Sequence, residues 1–108
     1  MAVGNDDTLG GYFAEHKRPP AFEGSDGASY SVEMYCDDDP ISPGRYGAAI
    51  LFVRWSAKGE EPIGHLETEY IAFGSSSAEA RAALEDITLH DVKHRLDELI
   101  QNKKDINW

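Results

Sequence analysis

The sequence contains one cysteine, few basic residues and no hydrophobic run long enough to span a bilayer. Cys36 has no second cysteine for an internal disulfide and no partners at the spacing of a zinc site. Its 10 basic against 20 acidic residues give a formal net charge of −10, which argues against a nucleic-acid or anionic-membrane surface because both need a concentrated positive field. Residues 1–10 lack the layout of a secretion signal, and no window approaches the roughly 20 apolar residues of a membrane span. We therefore expect a cytoplasmic protein that binds neither nucleic acid nor membranes.

The N-terminal quarter of the chain shows no sustained helical or strand period. Residues 1–27 contain five glycines, three aspartates and two prolines, which favours turns and irregular structure. We predict a partly disordered N-terminal arm at 1–27, followed by a single α+β domain at 28–108. The arm also contains apolar side chains that a purely solvated tail does not need, and these are expected to dock on the domain: Leu9, Tyr12, Phe13 and Phe22.

Three segments have the pattern of β-strands. Residues 28–35 alternate between apolar and polar side chains, residues 45–56 form the longest apolar run, and residues 63–73 follow a Gly-containing turn. Short loops between successive strands favour an antiparallel meander. We therefore predict residues 45–56 as the central strand, with apolar side chains on both faces.

The register of these strands decides which side chains the core buries. We expect Trp55 to oppose Gly64 and Val32 to oppose Ala49, because a one-residue slip would place glutamates against the apolar set. The core face then carries Tyr30, Val32, Met34, Ala49, Leu51, Val53, Trp55, Leu66 and Tyr70. The second face carries an apolar stripe of Tyr35, Tyr46, Ile50, Phe52, Ile71 and Phe73. Its charged positions are Glu33, Arg54, His65, Glu67 and Glu69.

After Gly74 the apolar period becomes helical. Ser76 followed by Glu79 has the spacing of a capping box, and Thr88 followed by Asp91 indicates a second N-cap. Each is followed by an apolar stripe, one of Ala80, Ala83, Leu84 and Ile87 and one of Leu89, Val92, Leu96, Leu99 and Ile100. The predicted fold is α+β: a three-stranded antiparallel β-meander with two C-terminal helices packed on the face of Leu51, Val53 and Leu66.

The second sheet face is the candidate functional surface. An apolar stripe inside a charged rim is typical of a protein-binding patch. We predict that this face binds a protein partner or a second copy of the chain through Tyr46, Ile50, Phe52, Arg54, His65, Glu67 and Glu69. The alternative is that the N-terminal arm folds back and covers Ile50 and Phe52.

Catalytic and ligand-binding interpretations are less favoured. His65, Glu67 and Glu69 have the residue types of acid–base catalysis in a small hydrolase, but charges at alternate strand positions commonly serve to prevent edge pairing. His90 and His94 have the spacing of two zinc ligands on a helix. In the zinc-protease motif of this spacing a glutamate follows the first histidine and acts as the base, whereas this chain has Asp91 at that position. We predict no catalytic residue, no metal site and no cofactor.

The junction between the last strand and the first C-terminal helix carries a family resemblance. The stretch Gly74-x-Ser76-x-x-Glu79-Ala80, after three strands, resembles the strand-to-helix junction of HicB-type antitoxins. The resemblance implies a domain that neutralises a partner protein, and it supplies the alternative to a general interaction module.

Overall fold

The computed structural model describes residues 7–105, and every helix and strand named here lies in that range. In chain order these are α1 (Leu9–His16), β1 (Ala21–Glu23), β2 (Ser29–Cys36), β3 (Tyr46–Trp55), β4 (Pro62–Glu67), β5 (Ala72–Gly74), α2 (Ser77–Glu85) and α3 (Leu89–Asp105). The strands form one antiparallel sheet in the order β1-β2-β3-β4, and β5 also pairs with β3. The predicted α+β class and the two C-terminal helices are confirmed, whereas the described residues form five strands instead of three.

One of the additional strands arises because the predicted strand at 63–73 is interrupted. β4 and β5 lie on the same edge of β3 and are separated by residues 68–71. The Ile50 N–H donates to the Thr68 hydroxyl (3.0 Å), while the Thr68 N–H donates to the Ile50 carbonyl (3.0 Å). A side-chain oxygen therefore replaces a backbone acceptor of the ladder, and the chain leaves the strand without leaving β3 unpaired.

Helix α1 and strand β1 occupy a segment in which the sequence shows no regular period. Leu9 is 2 % exposed, and its N–H donates to the Ile87 carbonyl between α2 and α3 (2.9 Å). A Cβ at Gly10 would lie 2.6 Å from the Glu85 Cβ, so the glycine allows α1 to approach α2 closely. Contacts distant in sequence hold α1 in place, which explains why its local pattern is weak. The part of the predicted arm at residues 1–6 lies outside the described residues.

The two C-terminal helices begin where the capping patterns predict. The Glu79 N–H donates to Ser76 Oγ (3.1 Å), and the Ser75 N–H donates to Glu79 Oε1 (3.0 Å). The Asp91 N–H donates to Thr88 Oγ1 (3.1 Å). These bonds satisfy amides that have no partner inside the helix, so the predicted N-caps are confirmed.

The hydrophobic core lies between one face of the sheet and the helices. Its buried residues are Leu9, Tyr30, Val32, Ala48, Ile50, Phe52, Leu66, Ala72, Ala80, Leu84, Val92, Leu96 and Ile100. The members in α2 and α3 belong to the two predicted stripes. None of the helices among residues 7–105 is long and apolar enough to cross a membrane.

Candidate functional site

The two faces of β3 are the reverse of those predicted. Ile50 and Phe52, which we placed on the exposed face, are both 0 % exposed and lie in the core beneath the helices. In the observed register Val32 opposes Phe52 rather than Ala49, and directly opposed residues share a face. The predicted faces of β2 and β4 are correct, but the prediction that Ile50 and Phe52 line an open surface is wrong.

Arg54 explains why the sequence pattern was misleading. Arg54 shares the helix-covered face with Phe52. Because a charged side chain is usually exposed to solvent, Arg54 made this face resemble the exposed one. Its Nε donates to the Tyr30 hydroxyl (3.1 Å) and lies 3.4 Å from Asp26 Oδ2. The Tyr30 hydroxyl in turn donates to Asp26 Oδ2 (2.9 Å). The guanidinium is thus accommodated at the edge of the core by partners that are distant in sequence.

These contacts also shift the ionisation of the cluster. Burial and the hydrogen bond to Asp26 raise the pKa of Tyr30 to about 12. Burial alone would raise the pKa of the Asp26 carboxyl, but hydrogen bonds from the Ala28 N–H and the Tyr30 hydroxyl, together with the Arg54 charge, lower it below its usual value of 3.8. Asp26 is therefore an ionised anchor of the turn between β1 and β2.

The face of the sheet opposite the helices carries three cross-strand rows. In each row a residue of β2 opposes a residue of β3, which opposes a residue of β4. The rows are Glu33-Leu51-Glu67, Ser31-Val53-His65 and Ser29-Trp55-Pro62. Leu51, Val53 and Trp55 are all partly exposed and form a column along β3, which we call the apolar column. We call the surface formed by the three rows the open face.

The open face forms a shallow groove of about 640 Å³. The apolar column lines it together with Glu33, Pro62, Gly64, His65 and Glu67. The Trp55 Nε1–H donates to Ser31 Oγ (2.9 Å), which satisfies the indole and fixes its ring across the face. The surface therefore presents a positioned aromatic ring beside aliphatic side chains.

Two carboxylates flank the column at one end. Glu33 and Glu67 are exposed, each opposes Leu51, and neither takes part in an ion pair within the range 7–105. The three rows contain no lysine or arginine, and His65 is their one basic side chain. This end of the open face is therefore negatively charged.

Beyond the acidic row, side chains from the loops close the groove. The Tyr70 ring lies against Gly47, where an added Cβ would be 2.6 Å from Tyr70 Cγ and 3.0 Å from Ile41 Cδ1. The Tyr70 hydroxyl donates to Asp37 Oδ2 (2.6 Å), and this bond raises the pKa of Tyr70 to about 12. Gly47 is thus required by the close approach of the tyrosine, which limits the open face to the three rows.

The remaining candidate residues are dispersed. Tyr46 packs against the core, and Glu69 follows β4 and lines a separate hollow with Arg95 and Glu98. The proposed hydrolase set is therefore divided, because only His65 and Glu67 share the groove on the open face. No group of three or more metal-ligating side chains occurs in the described part of the chain.

Two of the four apolar side chains singled out in the predicted arm lie in or against the core. Leu9 belongs to the core and Phe22 packs against it, both on the helix side of the sheet. Tyr12 stacks on His16 with ring centroids 4.1 Å apart, while Phe13 is 42 % exposed and lines a small groove with Leu9 and Met34. Leu9 and Phe22 therefore lie in or against the core that contains Ile50 and Phe52, as the alternative predicts, but on the helix side of the sheet and not over the open face.

The sequence contains one signal that identifies the open face. The polar positions of β2 (Ser29, Ser31 and Glu33) and of β4 (His65 and Glu67) share this face, so the residues of β3 opposite them had to be exposed as well.

Comparison with protein-family models, curated proteins and solved structures finds no match for this chain.

Proposed function

We propose that this protein is a small cytoplasmic interaction or regulatory module that binds a protein partner through the open face. The observation that carries the proposal is the apolar column on the side of the sheet that the helices leave uncovered. The cytoplasmic location is supported by the single cysteine and remains part of the proposal.

The composition of the open face suits recognition better than catalysis. Aromatic and aliphatic side chains at the centre of a patch supply most of the buried area of an interface, whereas polar groups at the rim supply selectivity. Val53 and Trp55 lie on the central strand, and Glu33, His65 and Glu67 lie on the two strands that flank it. Tryptophan is enriched among residues whose truncation weakens binding strongly, and Trp55 is held in place by its bond to Ser31.

The substitution that tests the proposal is Val53→Asp. It places a charge in the middle of the apolar column but leaves the buried side of β3 unchanged. Phe13→Asp is the matched control, because it also replaces an exposed apolar residue by aspartate, on α1 and outside the three rows of the open face. We expect a partner captured from a lysate of the source organism to be lost with Val53→Asp and retained with Phe13→Asp, with circular dichroism confirming that both variants fold.

Two results would contradict the proposal. One is capture of the same partners at the same level by the native chain and by folded Val53→Asp. The other is a native chain that sediments as a monomer and yields no partner that the Val53→Asp substitution removes.

The antitoxin-like alternative is a special case of the same surface. The capped junction at residues 74–80, on which the resemblance to HicB-type antitoxins rests, is present between β5 and α2. It predicts that the partner is a toxin encoded by a neighbouring gene. Co-expression should then restore the growth of cells that produce the toxin, and Val53→Asp should abolish this rescue.

A further inference from the structure

We infer that the partner of the open face contacts it with a cationic amphipathic segment, in which lysine or arginine flanks a central apolar side chain. The inference rests on the proposed function and adds the chemistry of the partner. It follows from the geometry of the acidic row and from the charge of the whole molecule.

The acidic row places one apolar side chain between two carboxylates. Glu33 opposes Leu51 from β2, and Glu67 opposes it from β4. Neighbouring strands lie about 4.8 Å apart, so the two glutamates are separated by roughly 9.6 Å across the sheet. On a helix, residues i and i+7 are separated by about 10.5 Å along the axis. Two basic residues at that spacing, with a leucine between them, match the row.

A partner without positive charge would leave these carboxylates poorly compensated. Covering Leu51 brings the partner beside both glutamates and removes part of their hydration, which is unfavourable without an opposite charge. Among the ion pairs of residues 7–105 none involves either glutamate. Complementary charge would accelerate association and discriminate against acidic partners.

Charge also disfavours a second copy of this chain as the occupant. Each copy carries a formal charge of −10, and two open faces in contact would bring four rim glutamates into one interface. Like charges in an interface are destabilising. A cationic segment of another protein meets the same surface without this cost.

Two synthetic helical peptides provide the test. Both are alanine-based and about 17 residues long, with a central leucine at i+4; one carries lysine at i and i+7, and its twin carries glutamate there. The protein is the full chain with Trp108→Phe, which leaves Trp55 as the only tryptophan and makes its fluorescence report on the open face. We expect the lysine peptide to bind at least tenfold more tightly than the glutamate peptide.

Charge-reversal variants show whether the two glutamates or the net charge of the protein determine which peptide binds more tightly. Glu33→Lys with Glu67→Lys should invert the preference in favour of the glutamate peptide. Glu15→Lys with Glu98→Lys is the matched control, since it makes the same change in net charge at exposed positions on α1 and α3, outside the open face. The control should change the ratio of the two affinities by less than about threefold, because exposed charges distant from the site are screened.

The outcomes separate this inference from the proposed function. Equal binding of the two peptides, no binding of either, or equal effects of the reversal and its control overturns the cationic partner. If Val53→Asp still removes the captured partner in those cases, the proposed function stands. A dimer that Val53→Asp dissociates would identify a second copy as the occupant and would also overturn the inference.

Discussion

Truncation of two adjacent residues of β3 tests the orientation of the central strand directly. Ile50 lies in the core at 0 % exposure, whereas Leu51 is partly exposed on the open face. Ile50→Ala and Leu51→Ala each remove three carbon atoms from the same strand. The two substitutions therefore remove nearly the same chemical groups but from different environments.

The structure sets different magnitudes for the two substitutions. Loss of about 0.8 kcal/mol for each buried methyl or methylene group gives roughly 2.4 kcal/mol for Ile50 before any cavity forms. A cavity enclosed by the sheet and the helices raises the expected cost to about 3–4 kcal/mol. Leu51→Ala opens no enclosed cavity, and we expect a cost of about 1 kcal/mol. A domain of this size is stable by only about 5–15 kcal/mol, so the difference is easily measured.

Urea unfolding followed by circular dichroism is the appropriate assay. The free energies of unfolding of the two variants and of the native chain should be compared at equal m-values, since a changed m-value indicates a change in compactness or loss of two-state behaviour. A cost for Leu51→Ala that equals or exceeds that for Ile50→Ala would refute the face assignment, and with it the placement of the open face.

Two further predictions concern the anchors of the fold. Because the pKa of Asp26 is lowered in the folded chain, its contribution to stability is present above about pH 4 and is lost as the pH falls through the lower folded value. Asp26→Asn should therefore reduce the loss of stability in acid, measured by urea unfolding at several pH values. Asp38→Asn, in an exposed loop, should leave this acid dependence unchanged. Retention of the full dependence by Asp26→Asn would contradict the role of this carboxylate. Ser76→Ala removes the N-cap of α2 and should lower the free energy of unfolding, measured with heat or urea, by about 1 kcal/mol. Ser77→Ala, inside the helix, should lower it much less. Equal losses of stability in the two variants would show that the cap contributes nothing specific.

The parts of the fold that the sequence predicts are those with one unambiguous local signal. The N-caps at Ser76 and Thr88 follow from side chains that can reach nearby backbone amides, and the helical stripes follow from a single apolar period. Strand β2 alternates so clearly that its buried face, with Tyr30 and Val32, is correctly predicted. Local chemistry and tertiary packing agree at these positions.

The parts that it does not predict depend on contacts between distant residues. Helix α1 contains two adjacent glycines and has low intrinsic helix propensity, and it is held through Leu9 and the close approach of Gly10 to Glu85. The division of the last strand depends on the Thr68 hydroxyl reaching β3. Neither arrangement has a periodic signature along the chain.

The orientation of β3 is a different kind of ambiguity, because either set of alternate residues could form the core. One set is Ala48, Ile50 and Phe52, and the other is Ala49, Leu51 and Val53. The polar residue that best distinguishes the two sets, Arg54, is on the covered side because Asp26 and Tyr30 bind it there.

The inference of an apolar surface on the central strand survives this reversal, but the residues that test it change. Phe52→Asp would place a charge in the core and would be expected to unfold the chain, so a loss of binding would say nothing about a surface. Val53→Asp introduces the same charge one residue further along, where solvent already reaches the side chain. A loss of binding can therefore be attributed to the open face when Val53 is substituted, but not when Phe52 is substituted.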